Sequence, residues 1–156
     1  MTPAVARLDA AGIPYALLSY DADAGRGPDV GVAAARALGI AAEAVFKTLV
    51  AELAQGELVV AVIPVAARLN LKRLARAAGA KSAALADPAV AERATGYVTG
   101  GISPFGQKKA LRTFLAEEAA TLNTIHVSAG KRGLELAVDP NDLIAVTDAV
   151  PCNLTG

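Results

Sequence analysis

At 156 residues the chain fits one domain and leaves little room for a second. Fifteen basic and fifteen acidic residues cancel, which excludes a histone-like or polybasic protein but leaves local patches open, and patches are what nucleic acid reads. One Cys and one His, Cys152 and His126, exclude an intrachain disulfide and the usual Cys/His zinc frameworks.

A reducing, cytoplasmic setting is compatible with this cysteine usage. The opening MTPAVARLDAAGIPY is interrupted by Arg7 and Asp9, so it does not read as a signal peptide. No apolar stretch approaches the roughly 20 residues of a membrane span, and no membrane partner is expected. With 54% hydrophobic residues, 4% aromatics and no Trp, the core must be built from Val, Leu, Ile and Ala.

Taken in chain order, the elements announce themselves mostly by their ends. Thr2-Pro3 is an N-cap followed by proline at the first helical position, and Gly12 closes a helix whose Val5 and Leu8 share a face. Residues 15–20 read as extended. Asp21–Gly31 is a long polar, Gly-rich loop, and Pro28-Asp29 near its end opens a helix that stops at Gly39. Residues 47–53 and 58–63 flank Ala54-Gln55-Gly56-Glu57, a loop of hairpin length. The second of these, LVVAVI, is continuously apolar and predicts a central strand ended by Pro64. Asn70 caps a helix through Leu71, Leu74 and Ala78 to Gly79. Asp87-Pro88 opens another, with Gly96 as its stop. Strands are predicted at Tyr97–Thr99, Thr124–Ser128 and Leu134–Val138. Asp139-Pro140 opens a short helix through Leu143, Ile144 and Val146, and the tail after Asp148 is expected to fray. Helices and strands mix without a steady βαβ alternation. This predicts one α+β domain over 1–156, a mainly antiparallel sheet or partial barrel with helices around it.

Three segments have residues suited to chemistry. Lys47, in Val45-Phe46-Lys47-Thr48-Leu49-Val50, is either a strand lysine with its stem on the edge or a cation aimed into a cleft. The run from Thr95 to Lys109 concentrates glycines before Lys108 and Lys109. It is either a plain turn with a basic end or a set of backbone N–H donors for an oxyanion or phosphate. Gly101 and Gly106 have P-loop spacing, but Gln107-Lys108-Lys109 follows, so a nucleotide triphosphatase is excluded. Val127-Ser128-Ala129-Gly130-Lys131-Arg132-Gly133 places small residues at a strand end, followed by two cations. Conventional catalysis finds little support. Ser103 and Ser128 lack a nucleophile-elbow setting, and His126 shares a strand face with Ser128 only if alternation holds.

These segments, in order, resemble the YbaK/EbsC family of aminoacyl-tRNA editing proteins over nearly the whole chain. The likeness includes Thr2-Pro3-Ala4, the strand ending at Tyr20, Phe46-Lys47-Thr48-Leu49, Pro64-Val65-Ala66, Leu71-Lys72, Ala86-Asp87-Pro88 and Thr95-Gly96-Tyr97. Its most specific parts are the stretches Gly100–Lys109 and Val127–Gly133. The resemblance implies a barrel-like, mainly antiparallel core and hydrolysis of mischarged tRNA without a cofactor, usually cysteine on proline tRNA. It implies prolyl-tRNA synthetase as a transient partner through the shared tRNA. It makes Lys47 the key residue, with Gly100 and Gly101 offering N–H groups to the ester carbonyl. Tyr20, Thr48 and Ser128 match positions around the pocket, and Asp142 matches a family aspartate. Lys108, Lys109, Lys131 and Arg132 become candidates for the tRNA backbone. The chemistry implied is attack by the substrate's own thiol. A deacylase for Ala-tRNA(Pro) and a non-catalytic tRNA- or synthetase-binding module are the alternatives.

Overall fold

The computed structural model describes residues 1–21 and 30–156, with Val30 given by its backbone. Helix α1 (Pro3–Ala11) begins where the Thr2 hydroxyl accepts the Val5 N–H and ends at Gly12 with φ 70°. Its Ala4, Val5 and Leu8 are buried. Strand β1 (Ala16–Ser19) follows, then α2 (Val30–Leu38). The expected start of α2 at Pro28-Asp29, and most of the Asp21–Gly31 loop, lie outside the described residues.

Strands β2 (Phe46–Leu53) and β3 (Leu58–Pro64) form the antiparallel hairpin that the sequence announces, with Lys47 opposite Ile63. Helix α3 (Leu71–Ala78) is capped by Asn70, and α4 (Pro88–Thr95) by Asp87. Between them lies the three-residue strand β4 (Ala83–Leu85). Strands β5 (Arg112–Ala116), β6 (Ile125–Ser128) and β7 (Leu134–Val138) precede α5 (Pro140–Thr147) and β8 (Val150–Cys152).

The strands form two sheets, ordered β1-β7-β6 and β4-β2-β3-β5-β8. The first is wholly antiparallel, whereas in the second β3–β5 and β5–β8 are parallel. Strand β3 is the middle strand, buried from Val59 to Pro64, as its unbroken apolar run predicts. A parallel bridge between Val45 and His126 joins the sheets where β2 begins. The expected partial barrel therefore takes the form of two sheets meeting at a seam. Their shared core includes Phe46, Phe105, Phe114, Leu115, Leu136 and Leu143.

Two expectations are corrected. Residues 97–99 form no strand; they enter a turn in which Gly101 N–H donates to Val98 O at 2.9 Å. Tyr97 is held instead by its hydroxyl, which donates to Phe105 O at 2.6 Å. The tail is also not frayed. Residues 150–152 pair with β5, Leu154 is fully buried, and Asn70 N–H donates to Leu154 O at 2.7 Å. Arg73 donates to Thr155 O and to Asn153 Oδ1, so a helix cation takes up tail acceptors that water would otherwise satisfy.

Candidate active site

A cavity of about 310 Å³ opens at the seam between the two sheets. Its walls come from β2, the ends of β6 and β7, Tyr20 after β1, and the first turns of α2 and α4. Most of the lining is apolar, with Phe46, Leu49, Val50, Val65, Ala91 and Ile102 as examples. The polar groups are few, and each stands largely alone.

Lys47 lies on this wall, half-buried, because β2 runs along the cavity floor. Burial pushes its ammonium pKa below the usual lysine value. Among the described residues it makes no hydrogen bond or ion pair. Of the two sequence alternatives for Lys47, its place among the cavity-lining residues is compatible with the cation facing a cleft. Thr48 and Ser128 also line the cavity. Thr48 Oγ1 is buried without a partner, whereas Ser128 Oγ accepts the Gly130 N–H at 3.0 Å.

The glycine segment divides into lining and support. Gly100, at φ 95°, lines the cavity and sits third in the Val98–Gly101 turn, the position that needs a positive φ in a type II turn. Gly101 does not line it, and its N–H is committed to Val98 O. Of the two glycines expected to face the ester carbonyl, Gly100 is the one among the residues that line the cavity. Gly101 instead lets two loops touch: a Cβ there would lie 3.1 Å from Arg132 N. Gly106 and Gly130 act in the same way. A Cβ on Gly106 would meet Pro3 O at 2.4 Å, and one on Gly130 would meet the Tyr97 ring at 2.6 Å. The Thr2 hydroxyl completes this layer by donating to Ala129 O at 2.6 Å. Thr2-Pro3, Tyr97, Gly106 and Gly130 are therefore a buttress behind the cavity.

The remaining candidates separate in space. The Lys131-Arg132 turn packs against Gly100-Gly101 at the cavity rim, with Lys131 exposed. Lys108 and Lys109 are exposed and tied by their N–H groups to Thr95 O and Ala94 O at the end of α4. Lys109 faces a separate cleft of about 210 Å³ that it shares with Arg7. Asp142 stands in the first turn of α5 and is not among the residues that line the main cavity.

The acid that does line it is Glu135, which the sequence reading passed over. It is 6% exposed and lies in β7 directly opposite Ser128 on one side and Leu18 on the other. Its Oε2 is buried with no hydrogen-bond partner, and burial pushes its pKa up to about 8. The only available signal was an acid inside the apolar strand Leu134–Val138, and alternation alone would place such a residue in water.

A nucleophile–base pair is absent among the described residues. His126 and Ser128 do share a face of β6, but His126 Nδ1 lies 3.4 Å from Ala44 O and does not line the cavity. No cluster of described His, Cys, Asp or Glu residues is arranged to hold a metal. What the described residues offer is a mostly apolar pocket lined by one cation, one buried acid and four hydroxyl-bearing side chains, those of Tyr20, Thr48, Thr99 and Ser128. Such a site suits positioning and charge stabilisation of a reactive substrate.

The model of the aminoacyl-tRNA editing domain family matches residues 28–146. EbsC of Enterococcus faecalis (strain ATCC 700802 / V583), described as a candidate Cys-tRNA(Pro)/Cys-tRNA(Cys) deacylase, is 42% identical over 121 residues, 78% of this chain and 74% of that protein. Two solved structures share the fold. A candidate trans-editing enzyme for prolyl tRNA synthetase superposes with a TM-score of 0.85 at 23% identity, covering 100% of this chain and 99% of the other. The hypothetical protein APE2540 gives a TM-score of 0.88 at 23% identity, covering 99% and 100%. At that identity the two structures bear on the fold alone. The family match spans most of the chain, including every described cavity-lining residue but Tyr20, and the chain belongs to the aminoacyl-tRNA editing domain family, in its YbaK/EbsC branch.

Proposed function

We propose that the cavity receives the aminoacyl ester at the end of a mischarged tRNA and releases the amino acid, with Cys-tRNA(Pro) as the preferred substrate. The observation that carries this reading is Lys47, a half-buried cation on the wall of a 310 Å³ cavity which, among the described residues, has no ion-pair partner and shares the cavity with no paired nucleophile and base. Membership of the editing family and the likeness to EbsC support it.

An aminoacyl ester is already labile, so a protein that fixes its pose and stabilises charge can accelerate its loss. In the proposed step the substrate's cysteine thiol loses its proton and attacks its own ester carbonyl. The bond between carbonyl carbon and ribose oxygen breaks, the ribose oxygen takes up a proton, and water then opens the cyclic thioester. Lys47 holds the terminal phosphate or sugar, and Gly100 N–H faces the carbonyl oxygen. Tyr20, Thr48 and Ser128 shape the pocket around the acyl group. Prolyl-tRNA synthetase is a transient partner through the tRNA that both handle. A synthetase pocket separates near-isosteres of this size by only about 10–200-fold, which is why a second hydrolytic site is useful.

The test offers proline tRNA charged with Cys, Ala, Ser or Pro to the purified protein and to Lys47→Ala. The expected order is Cys fastest, Pro slowest, with activity lost in Lys47→Ala. No release of any amino acid at saturating protein would overturn the enzymatic reading. Release of Ala ahead of Cys would reassign the substrate, and undiminished hydrolysis of the Ser ester would count against thiol attack.

A further inference from the structure

Lys47 and Glu135 stand on walls of the same cavity and, among the described residues, form no ion pair with each other or with any other charged group. A half-buried cation and a buried carboxyl with an unsatisfied oxygen in one apolar pocket are costly unless a ligand satisfies them. An aminoacyl-tRNA end has a matching pair: a phosphate on one side of the ester and an α-ammonium on the other. Lys47 suits the phosphate. The complementary group on the acyl side is Glu135, with one oxygen buried and unpartnered. Its position in β7 opposite Ser128, the last residue of β6, puts it beside the small residues that follow that strand.

We infer that Glu135 is the receptor for the free α-amino group of the acylated amino acid, so that the site selects esters of amino acids over esters that lack this group. This inference rests on the deacylase reading. It adds a selection that side-chain size cannot provide, because every amino acid has the same amine. The proton inventory agrees. Burial holds the carboxyl near pH 8, close to where an α-amino group titrates, so acid and amine share one proton when they meet. The pair forms without either partner having to be forced into an unusual protonation state at neutral pH.

The experiment compares two esters of the same proline tRNA. One carries cysteine; the other carries its isostere with a hydroxyl in place of the α-amino group. Both are offered to the wild-type protein and to Glu135→Gln, with enzyme-free hydrolysis subtracted and melting curves confirming that the variant is folded. The wild type is expected to favour the amino ester by 10- to 100-fold in kcat/KM, with most of the difference in KM. In Glu135→Gln the preference is expected to collapse to within threefold. Equal handling of both esters by the wild type overturns the inference while leaving the deacylase reading intact. So does an undiminished preference in a folded Glu135→Gln. Failure of the wild type to hydrolyse the amino ester overturns the deacylase reading and this inference with it. Should Glu135→Gln not fold, Glu135→Met, which removes the carboxyl at similar volume, takes its place, and retention of the full preference at unchanged KM overturns the inference.

Discussion

The two charged residues of the cavity respond to pH in opposite senses. Lys47 has its pKa lowered in the folded state. The unfolded chain therefore binds more protons in the window just below the ordinary lysine value, and Lys47 makes stability rise with pH there. At neutral pH its burial is a cost, so Lys47→Met should leave the melting temperature unchanged or higher. The same change should lower kcat/KM by about 100-fold or more if the cation stabilises charge in the transition state. Scanning calorimetry alongside deacylation assays separates the two effects. Glu135 has a folded pKa of about 8 against the ordinary 4.5. The native state keeps a proton that the unfolded state releases between those values, so stability declines as pH rises from about 4.5 to about 8. At about 1.4 kcal/mol per unit the decline amounts to a few kcal/mol. In Glu135→Gln this part of the decline should vanish, and denaturation at pH 5, 7 and 9 would show it. A variant whose pH slope matches the wild type would contradict the buried, unpartnered carboxyl. The contrast also shows why one residue was legible and the other was not. Lys47 lies within a distinctive sequence segment. Glu135 gains its character from tertiary burial opposite Ser128, which no local pattern encodes.

At the level of elements, what could be read was what is decided locally. Thr2, Asn70, Asp87 and Asp139 each accept an N–H of the following turn, and that chemistry is complete within four residues. Strand β3 was legible because a strand covered on both faces has no polar positions to interrupt it. Strands β4 and β8 were missed because each has only three residues, and β5 because it joins its parallel partners far along the chain without a hairpin turn to announce it. Tyr97–Thr99 misled because an aromatic and β-branched run has strand propensity, which a tertiary hydrogen bond from Tyr97 and the following turn override. The docked tail gives a direct check. Leu154 is fully buried, so Leu154→Ala should cost about 2–5 kcal/mol, read as a lower denaturant midpoint. A change below 0.5 kcal/mol, a surface-like effect, would mean the tail does not pack as described. Gly101→Ala tests the loop junction. Its Cβ would press on the Lys131-Arg132 backbone at 3.1–3.2 Å, so deacylation should fall more than stability does.

Over the whole molecule, zero net charge means that any attraction for tRNA comes from the arrangement of its cations. The Lys131 backbone packs against Gly101, next to the cavity-lining Gly100, whereas Lys109 faces the second cleft with Arg7. If both reach phosphate, Lys131→Glu and Lys109→Glu should each weaken tRNA binding. Each lost contact should make the slope of log K against log salt shallower by about 0.7–0.9. Titrations between low and moderate salt would assign the path of the acceptor stem. A slope changed by Lys131→Glu alone would confine the contact to the cavity rim. Among the described residues no helix is long and apolar enough to cross a membrane.

One close approach bears on how such a pocket can be retuned. Gly31 lines the cavity where α2 crosses Val65, and a Cβ there would lie only 2.4 Å from Val65 Cγ1. The width of that wall is thus set by how near a helix backbone can come to a valine methyl, independently of any polar group. A single methyl at position 31 works as a shim: it must displace either α2 or Val65, while Lys47, Glu135 and Gly100 stay in place. The gauge of the pocket and its chemistry are therefore separable. A lineage could change which side chains fit by altering the spacing of the roof, and leave the ester-handling groups untouched.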